Sequence, residues 1–170
     1  VPSVSAATLQ PAEAPQTVAA TFKFGYLSYN EIIHAMPEYA QALKSLEELK
    51  KSYDQEMERA EQEFSKKFTE YIDGQKSFPE NIMLKRQKEL QLLMEQSLNF
   101  KKEAEELLTK AEAELMAPIH NTVKEAINEV GKEHKYAYVL NTDANAYPYI
   151  SGNGEAENCT DAVLTRLGIK

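Results

Sequence analysis

Glu31-Ile-Ile-His34 carries the Glu-x-x-His spacing that, doubled on a second helix and joined by two further carboxylates, holds a pair of metal ions in helical bundles. The chain has no second copy of it, so His34 reads as a boundary histidine on a short helix. His120 and His134 have no ligand spacing to each other or to a carboxylate pair, and both read as surface or junction residues. Cys159 is the single cysteine, which excludes an internal disulfide and any cysteine-based zinc site. With no histidine near it in sequence, it reads as a small packing residue and not a nucleophile. Asn158-Cys159-Thr160 matches a glycosylation sequon but doubles as a helix cap, the reading preferred here. Gly74-Gln-Lys76 lacks both the glycine spacing and the leading strand of a phosphate-binding loop. No catalytic group, metal or cofactor is expected, so the chain is not expected to be an enzyme.

What the sequence offers instead is contact chemistry. Tyr53, Met57, Phe64, Phe68, Tyr71, Phe78, Met83, Met94 and Phe100 lie in a stretch that is otherwise charged or amide. At helical spacing most of them should pack helix on helix. Methionine and aromatic side chains also suit binding to varied partners, because they are polarizable and repack. Phe78 and Met83 are the best candidates for that role, since they fall where a two-helix tip has little to bury them.

Those residues must be positioned by long helices. From Glu38 to about Tyr71 there is no proline or glycine, and apolar residues recur at Tyr39, Leu43, Leu46, Leu49, Tyr53, Met57, Ala60, Phe64, Phe68 and Tyr71. The mean step is about 3.6, the period of an amphipathic helix. Asp73-Gly74-Gln75-Lys76-Ser77 breaks it, and Ser77 with Glu80 has capping-box spacing around Pro79. A second helix through Ile82, Leu90, Leu93, Leu98, Leu107, Ala111 and Leu115 then makes an antiparallel hairpin. Pro118 should bend the helix where the arm meets its base, and Gly131 should stop it.

Strands are expected at both ends of the chain. Phe22, Phe24, Tyr26 and Ser28 alternate with Lys23, Gly25 and Leu27, and Ser28 with Glu31 opens a short helix that Pro37 interrupts or restarts. Tyr136–Asn141 reads as a second strand and Tyr147–Ile150 as a third, with a turn over Asn141–Asn145. Asn158 or Thr160 should cap a last helix through Val163, Leu164 and Leu167, ended by Gly168. A sheet this small beneath so long an arm leaves apolar surface and strand edges exposed, which predicts self-association.

Over 170 residues the net charge is −8, which argues against nucleic acid as a partner. No apolar run approaches the roughly 18 residues of a membrane span. Val1–Ala20 holds Pro2, Pro11 and Pro15 and a single charge, Glu13, and reads as a flexible leader. A first residue other than methionine fits removal of a secretory signal, and equally an engineered start.

Phe24-Gly-Tyr-Leu-Ser28, Pro118-Ile-His-Asn-Thr-Val-Lys-Glu-Ala-Ile-Asn-Glu-Val130, Tyr136-Ala-Tyr-Val-Leu-Asn141, Asp143-Ala-Asn-Ala-Tyr147 and Asp161-Ala-Val-Leu164 flank or follow the two charged helices. In that order they resemble the Skp/OmpH family of periplasmic chaperones, over residues 22–170. The resemblance implies a homotrimer whose strands form a common β-barrel body. Three arms would enclose a cavity that holds unfolded outer-membrane proteins without ATP, in the periplasm. The chain departs from the best-known members, which are basic. Glu38–Ala117 has 13 Lys and Arg against 18 Asp and Glu, and only Glu63–Glu89, with six against five, tips to positive.

The expected fold class is α+β, mostly helical. Residues 1–20 are a leader, 21–36 and 119–170 a β-rich oligomerisation body, and 37–118 a helical hairpin arm, giving a jellyfish-like trimer. Candidate client-binding residues are Phe64, Phe68, Tyr71, Phe78 and Met83 with the cations Lys66, Lys67, Lys76, Lys85, Arg86 and Lys88. Phe22, Phe24, Tyr26, Tyr136, Tyr138 and Leu140 are assigned to oligomerisation, and Pro118 to the hinge. The competing reading is a structural or scaffolding coiled-coil oligomer that binds one specific partner.

Overall fold

The computed structural model describes Ala12, residues 22–147 and residues 149–170. The leader reading for Val1–Ala20 therefore lies outside the described residues, apart from Ala12. The chain runs β1 (Phe24–Leu27), α1 (Tyr29–Ala35), α2 (Pro37–Gly74), α3 (Glu80–Glu133), β2 (Val139–Asn141), a 3-10 turn (Thr142–Ala144), β3 (Ala156–Asn158) and α4 (Thr160–Arg166). The three strands form one sheet in the order β2-β1-β3, and both outer strands run parallel to β1. Between β1 and β2 the chain leaves the sheet, travels out along α2 and returns along α3.

Alternation along β1 divides the sheet. Gly25 and Leu27 are buried while Phe24 and Tyr26 are half-exposed. Leu27 joins Ile32, Ile33 and Met36 from α1, Ile119, Val123, Ala126 and Val130 from α3, and Cys159, Val163 and Leu164 from the α4 end in one core. The α3 residues fall at steps of four, three and four, one helical stripe. Each fully buried side chain of this size contributes about 1.5–3 kcal/mol.

Several local expectations hold. Ser28 caps α1 by accepting the Glu31 N–H at 3.2 Å. Pro37 occupies the first turn of α2, where its missing N–H costs nothing. Gly168 (φ 77°) closes α4, with Ile169 N–H donating to Leu164 O and Gly168 N–H to Thr165 O, both at 3.0 Å. This doubly bonded ending is the Schellman motif. The cap of α4 differs from expectation: Cys159 holds that position without a side-chain bond, while Asn158, one residue earlier, accepts the Thr160 N–H through Oδ1 at 3.1 Å.

Four further expectations are corrected. Ser77 does not cap the returning helix: Pro79 stands at the cap position without a side-chain bond, and Ser77 Oγ donates backward to Gly74 O at 3.2 Å. Gly131 does not end α3. The helix runs to Glu133, and Lys135 (φ 56°) takes the left-handed position, with Tyr136 N–H bonding Gly131 O at 2.9 Å. The strand expected over Tyr136–Asn141 is shorter, starting at Val139, because Tyr136 is still closing the helix. The third strand is Ala156–Asn158, not Tyr147–Ile150, of which Tyr147, Tyr149 and Ile150 lie outside any strand. A proline-bearing run cannot supply a continuous ladder of donors. Ala-Glu-Asn has weak strand preference but gains pairing to β1, with Phe24 N–H donating to Glu155 O and Cys159 N–H to Tyr26 O.

Candidate functional site

At 38 and 54 residues, α2 and α3 are about 57 and 81 Å long at 1.5 Å per residue. Within the arm they meet along one seam. On α3 it consists of Leu90, Leu93, Ser97, Phe100, Ala104, Leu108 and Ala111, all buried or half-buried. Steps of three and four are those of a coiled-coil seam. The sequence pattern had instead placed Leu98, Leu107 and Leu115 on this stripe; they are 63%, 42% and 36% exposed. On α2, Leu43 and Phe68 are likewise 45% and 47% exposed, while Ala42 takes the contact. Where helices approach closely, small Ala and Ser side chains fit the seam and the adjacent leucines are turned outward.

The arm therefore presents apolar groups to solvent. Besides the residues just named, Ile72, Ile82, Leu84, Leu92 and Met94 are exposed. Midway along the arm, Met57, Phe64, Leu93, Met94, Leu98 and Phe100 line an open groove of about 730 Å³, edged by Glu56, Arg59, Glu61, Glu63 and Lys101. Tyr53 meets Phe100 edge to face at 6.0 Å, and Phe64 stacks on Phe68 at 6.0 Å. Phe64 is half-buried, while Phe68 faces out.

The tip is better packed than a two-helix turn suggests. The Phe78 ring lies on Gly74, so close that a Cβ there would fall 2.3 Å from Phe78 Cζ. Tyr71 is buried and its hydroxyl accepts a hydrogen bond from Gln87 Nε2 at 2.6 Å. Phe78 and Met83 are both half-buried, and Lys66, Lys76, Lys85, Arg86 and Lys88 are exposed around them, with Lys67 half-buried. Arg86 lies 3.6 Å from Glu89. Pro118 sits inside α3 between the seam and the body, and Thr122 Oγ1 donates to its carbonyl at 2.9 Å.

At the other end, the sheet face away from the helices collects four of the six residues expected to mediate assembly. The register pairs Tyr26 with Leu140, and Phe24 stacks on Tyr138 at 5.1 Å. None of these four belongs to the core. Phe22 is 65% exposed just before β1. Tyr136 is placed differently: it packs on the core side over Gly25 and donates to Glu157 Oε2 at 2.6 Å. Burial, then this bond, pushes its phenol well above the usual range. Glu157 is held low, first by the bond from Lys23 Nζ at 2.8 Å and then by Tyr136.

His34, His120 and Cys159 each make local structural contacts. His34 Nδ1 lies 2.6 Å from Asn30 O, and His120 Nδ1 lies 2.6 Å from the Tyr29 hydroxyl. Cys159 is buried, which raises its thiol pKa. Among the described residues no group of three or more His, Cys, Asp or Glu is placed to hold a metal ion, and no helix is long and apolar enough to cross a membrane.

A paired-helix arm inserted into a small parallel sheet, with exposed apolar side chains along the arm and outside the core on one sheet face, defines an arm-bearing α+β fold. The model of the family described as outer membrane protein (OmpH-like) matches residues 23–167, and the chain belongs to that family. A solved structure described as an OmpH-like outer membrane chaperone from Caulobacter crescentus CB15 has the same fold. It superposes with a TM-score of 0.72 at 12% identity, over 95% of this chain and 90% of that one. No curated protein matches the chain.

Proposed function

We propose that this chain is a periplasmic holdase chaperone that keeps unfolded outer-membrane proteins from aggregating, without ATP, in a cavity between the arms of a homotrimer. The observation that carries the reading is the arm itself: two helices that bury one narrow seam and leave Phe68, Leu84, Leu92, Met94 and Leu98 exposed along a charged rod. Many weak apolar contacts of this kind add up through effective concentration once a client is enclosed. Assembly has its own support. Parallel sheets occur almost only with both faces covered, and here one face offers Phe24, Tyr26, Tyr138 and Leu140, none of them in the core formed with the described helices. A second and third copy would cover it. Family membership and the described role of the Caulobacter relative point the same way.

The test is light scattering on size-exclusion fractions of the protein mixed with an unfolded outer-membrane β-barrel protein, with no nucleotide. A peak at the mass of three chains plus one client is the expected result. A bare oligomer beside aggregated client would instead favour a scaffold whose arms bind one specific partner. Leu140→Asp together with Tyr138→Asp should shift the oligomer to single chains; an unchanged mass would remove the sheet face from the assembly.

A further inference from the structure

We propose that the groove halfway along the arm receives unfolded polypeptide segments that are apolar at their centre and carry Lys or Arg at their flanks. The inference rests on the holdase reading and adds the chemistry of the segment that is held.

The arm's charge is unevenly distributed. Residues 54–63 hold five acidic side chains and one arginine, and residues 93–106 hold four acidic side chains and two lysines. These two stretches supply both walls of the groove, and together carry a net charge of −6 against −5 for the whole of Glu38–Ala117. The segment beyond them, residues 64–92, is +2. The negative charge of the arm is thus a belt around its middle.

Within that belt the cations are partly spent. Arg59 places Nη2 2.6 Å from Glu56 Oε1 and Nη1 3.9 Å from Glu63 Oε2. Glu61 is exposed and forms no ion pair among the described residues. Beside the α2 carboxylates the lining is apolar, with Met57, Leu93 and Leu98 next to the small Ala60 and Ser97 that leave the space open. About 730 Å³ accommodates several side chains of an extended segment. An acidic segment entering there meets Glu56, Glu61 and Glu63 along the α2 wall, while Lys or Arg flanks are drawn to them. The α3 wall contributes the cation Lys101, but the net −6 of the belt acts over a Debye length of about 8 Å and outweighs it. Methionine and leucine in the lining tolerate varied apolar centres.

The experiment uses the full chain and two fluorescent, unstructured peptides with one shared Leu- and Phe-containing centre, flanked by Lys in one and by Glu in the other. Anisotropy titrations are run at low and high salt, beside the capture assay with an unfolded outer-membrane protein. The Lys-flanked peptide is expected to bind about tenfold tighter at low salt, with the preference shrinking as salt rises. Glu61→Gln with Glu63→Gln should cut the preference about threefold, and Leu98→Ser should weaken both peptides. Helicity by circular dichroism confirms that the variants fold. Equal or reversed preference overturns the proposal, as does a preference untouched by the Glu variants. So does a mass increase with concentration that Leu98→Ser abolishes, because a second arm would then fill the groove. If neither peptide binds but the outer-membrane protein is still captured, the groove proposal falls and the holdase reading stands. If that protein aggregates as well, the holdase reading fails and takes this inference with it.

Discussion

Ser28 Oγ donates to Asp143 Oδ1 at 2.6 Å, tying the cap of α1 to a turn 115 positions later in the chain. The second carboxylate oxygen accepts the Asn30 N–H at 2.8 Å, and Asn141 Oδ1 accepts the Tyr29 N–H at 3.3 Å. Free N–H groups at the start of α1 are thus satisfied from the far side of the helical arm, and a negative charge sits at the positive end of the helix. The capping serine, whose hydroxyl accepts from Glu31, donates its proton to the carboxylate at the same time.

These bonds hold the Asp143 carboxyl below its usual value of 3.8, first through Ser28 and then through the Asn30 N–H. A depressed folded-state pKa stabilises the protein above the unfolded value, and the contribution is lost as pH falls through the folded one. Asp143→Ala should therefore lower the urea midpoint at neutral pH, with the difference from the parent shrinking in acid below 3.8. A deficit that persists undiminished in acid would assign the effect to packing. Ser28→Ala should cost about 1 kcal/mol.

Gly25→Ala is expected to destabilise the body by about 1–3 kcal/mol. The new Cβ would stand 2.9 Å from Tyr136 Cε2 and 3.0 Å from Cys159 Sγ, in a buried site closed on both sides. Gly152→Ala, with no described residue within 4 Å of the new Cβ, is the matched control and should be near neutral. Denaturant midpoints of the two variants make the comparison.

Lys135→Gly should raise stability by about 1 kcal/mol. Lys135 holds φ at 56°, a conformation that costs a side-chain-bearing residue energy and glycine little. The gain is partly offset by the greater freedom of glycine in the unfolded chain. A thermal melt higher by roughly 2–4 °C is the expected readout for a chain of this length.

Phe78→Ser with Met83→Ser should weaken capture of an unfolded client while leaving oligomer mass unchanged. Because Phe78 packs on Gly74, the same change loosens the turn, so Gly74→Ala is the useful companion. It dislodges the ring without removing it. Reduced capture in the double variant but full capture in Gly74→Ala would assign binding to the ring's chemistry. Full capture in both would exclude the tip as a contact site.

Much of this architecture is written in local patterns. Thirty-odd residues without proline or glycine at a 3.6 period can only be a long helix, and Ser28, Pro37 and Gly168 mark helix ends through backbone chemistry that needs no partner. The acidic balance of the arm and the lack of a paired Glu-x-x-His are equally plain in the residues. Tertiary structure decided what depended on a neighbour. Ala104 and Ser97 entered the seam in place of Leu107 and Leu98, because the distance between helix axes selects for size as well as hydrophobicity. Ala156–Asn158 became a strand because β1 offered unpaired backbone groups at that edge. Tyr136 turned toward the core because Gly25 leaves room for its ring, a vacancy that exists only once two segments more than a hundred residues apart are brought side by side. Periodicity reports which face of a helix is apolar. Which of its residues touch anything is fixed by the shape of what comes to meet them.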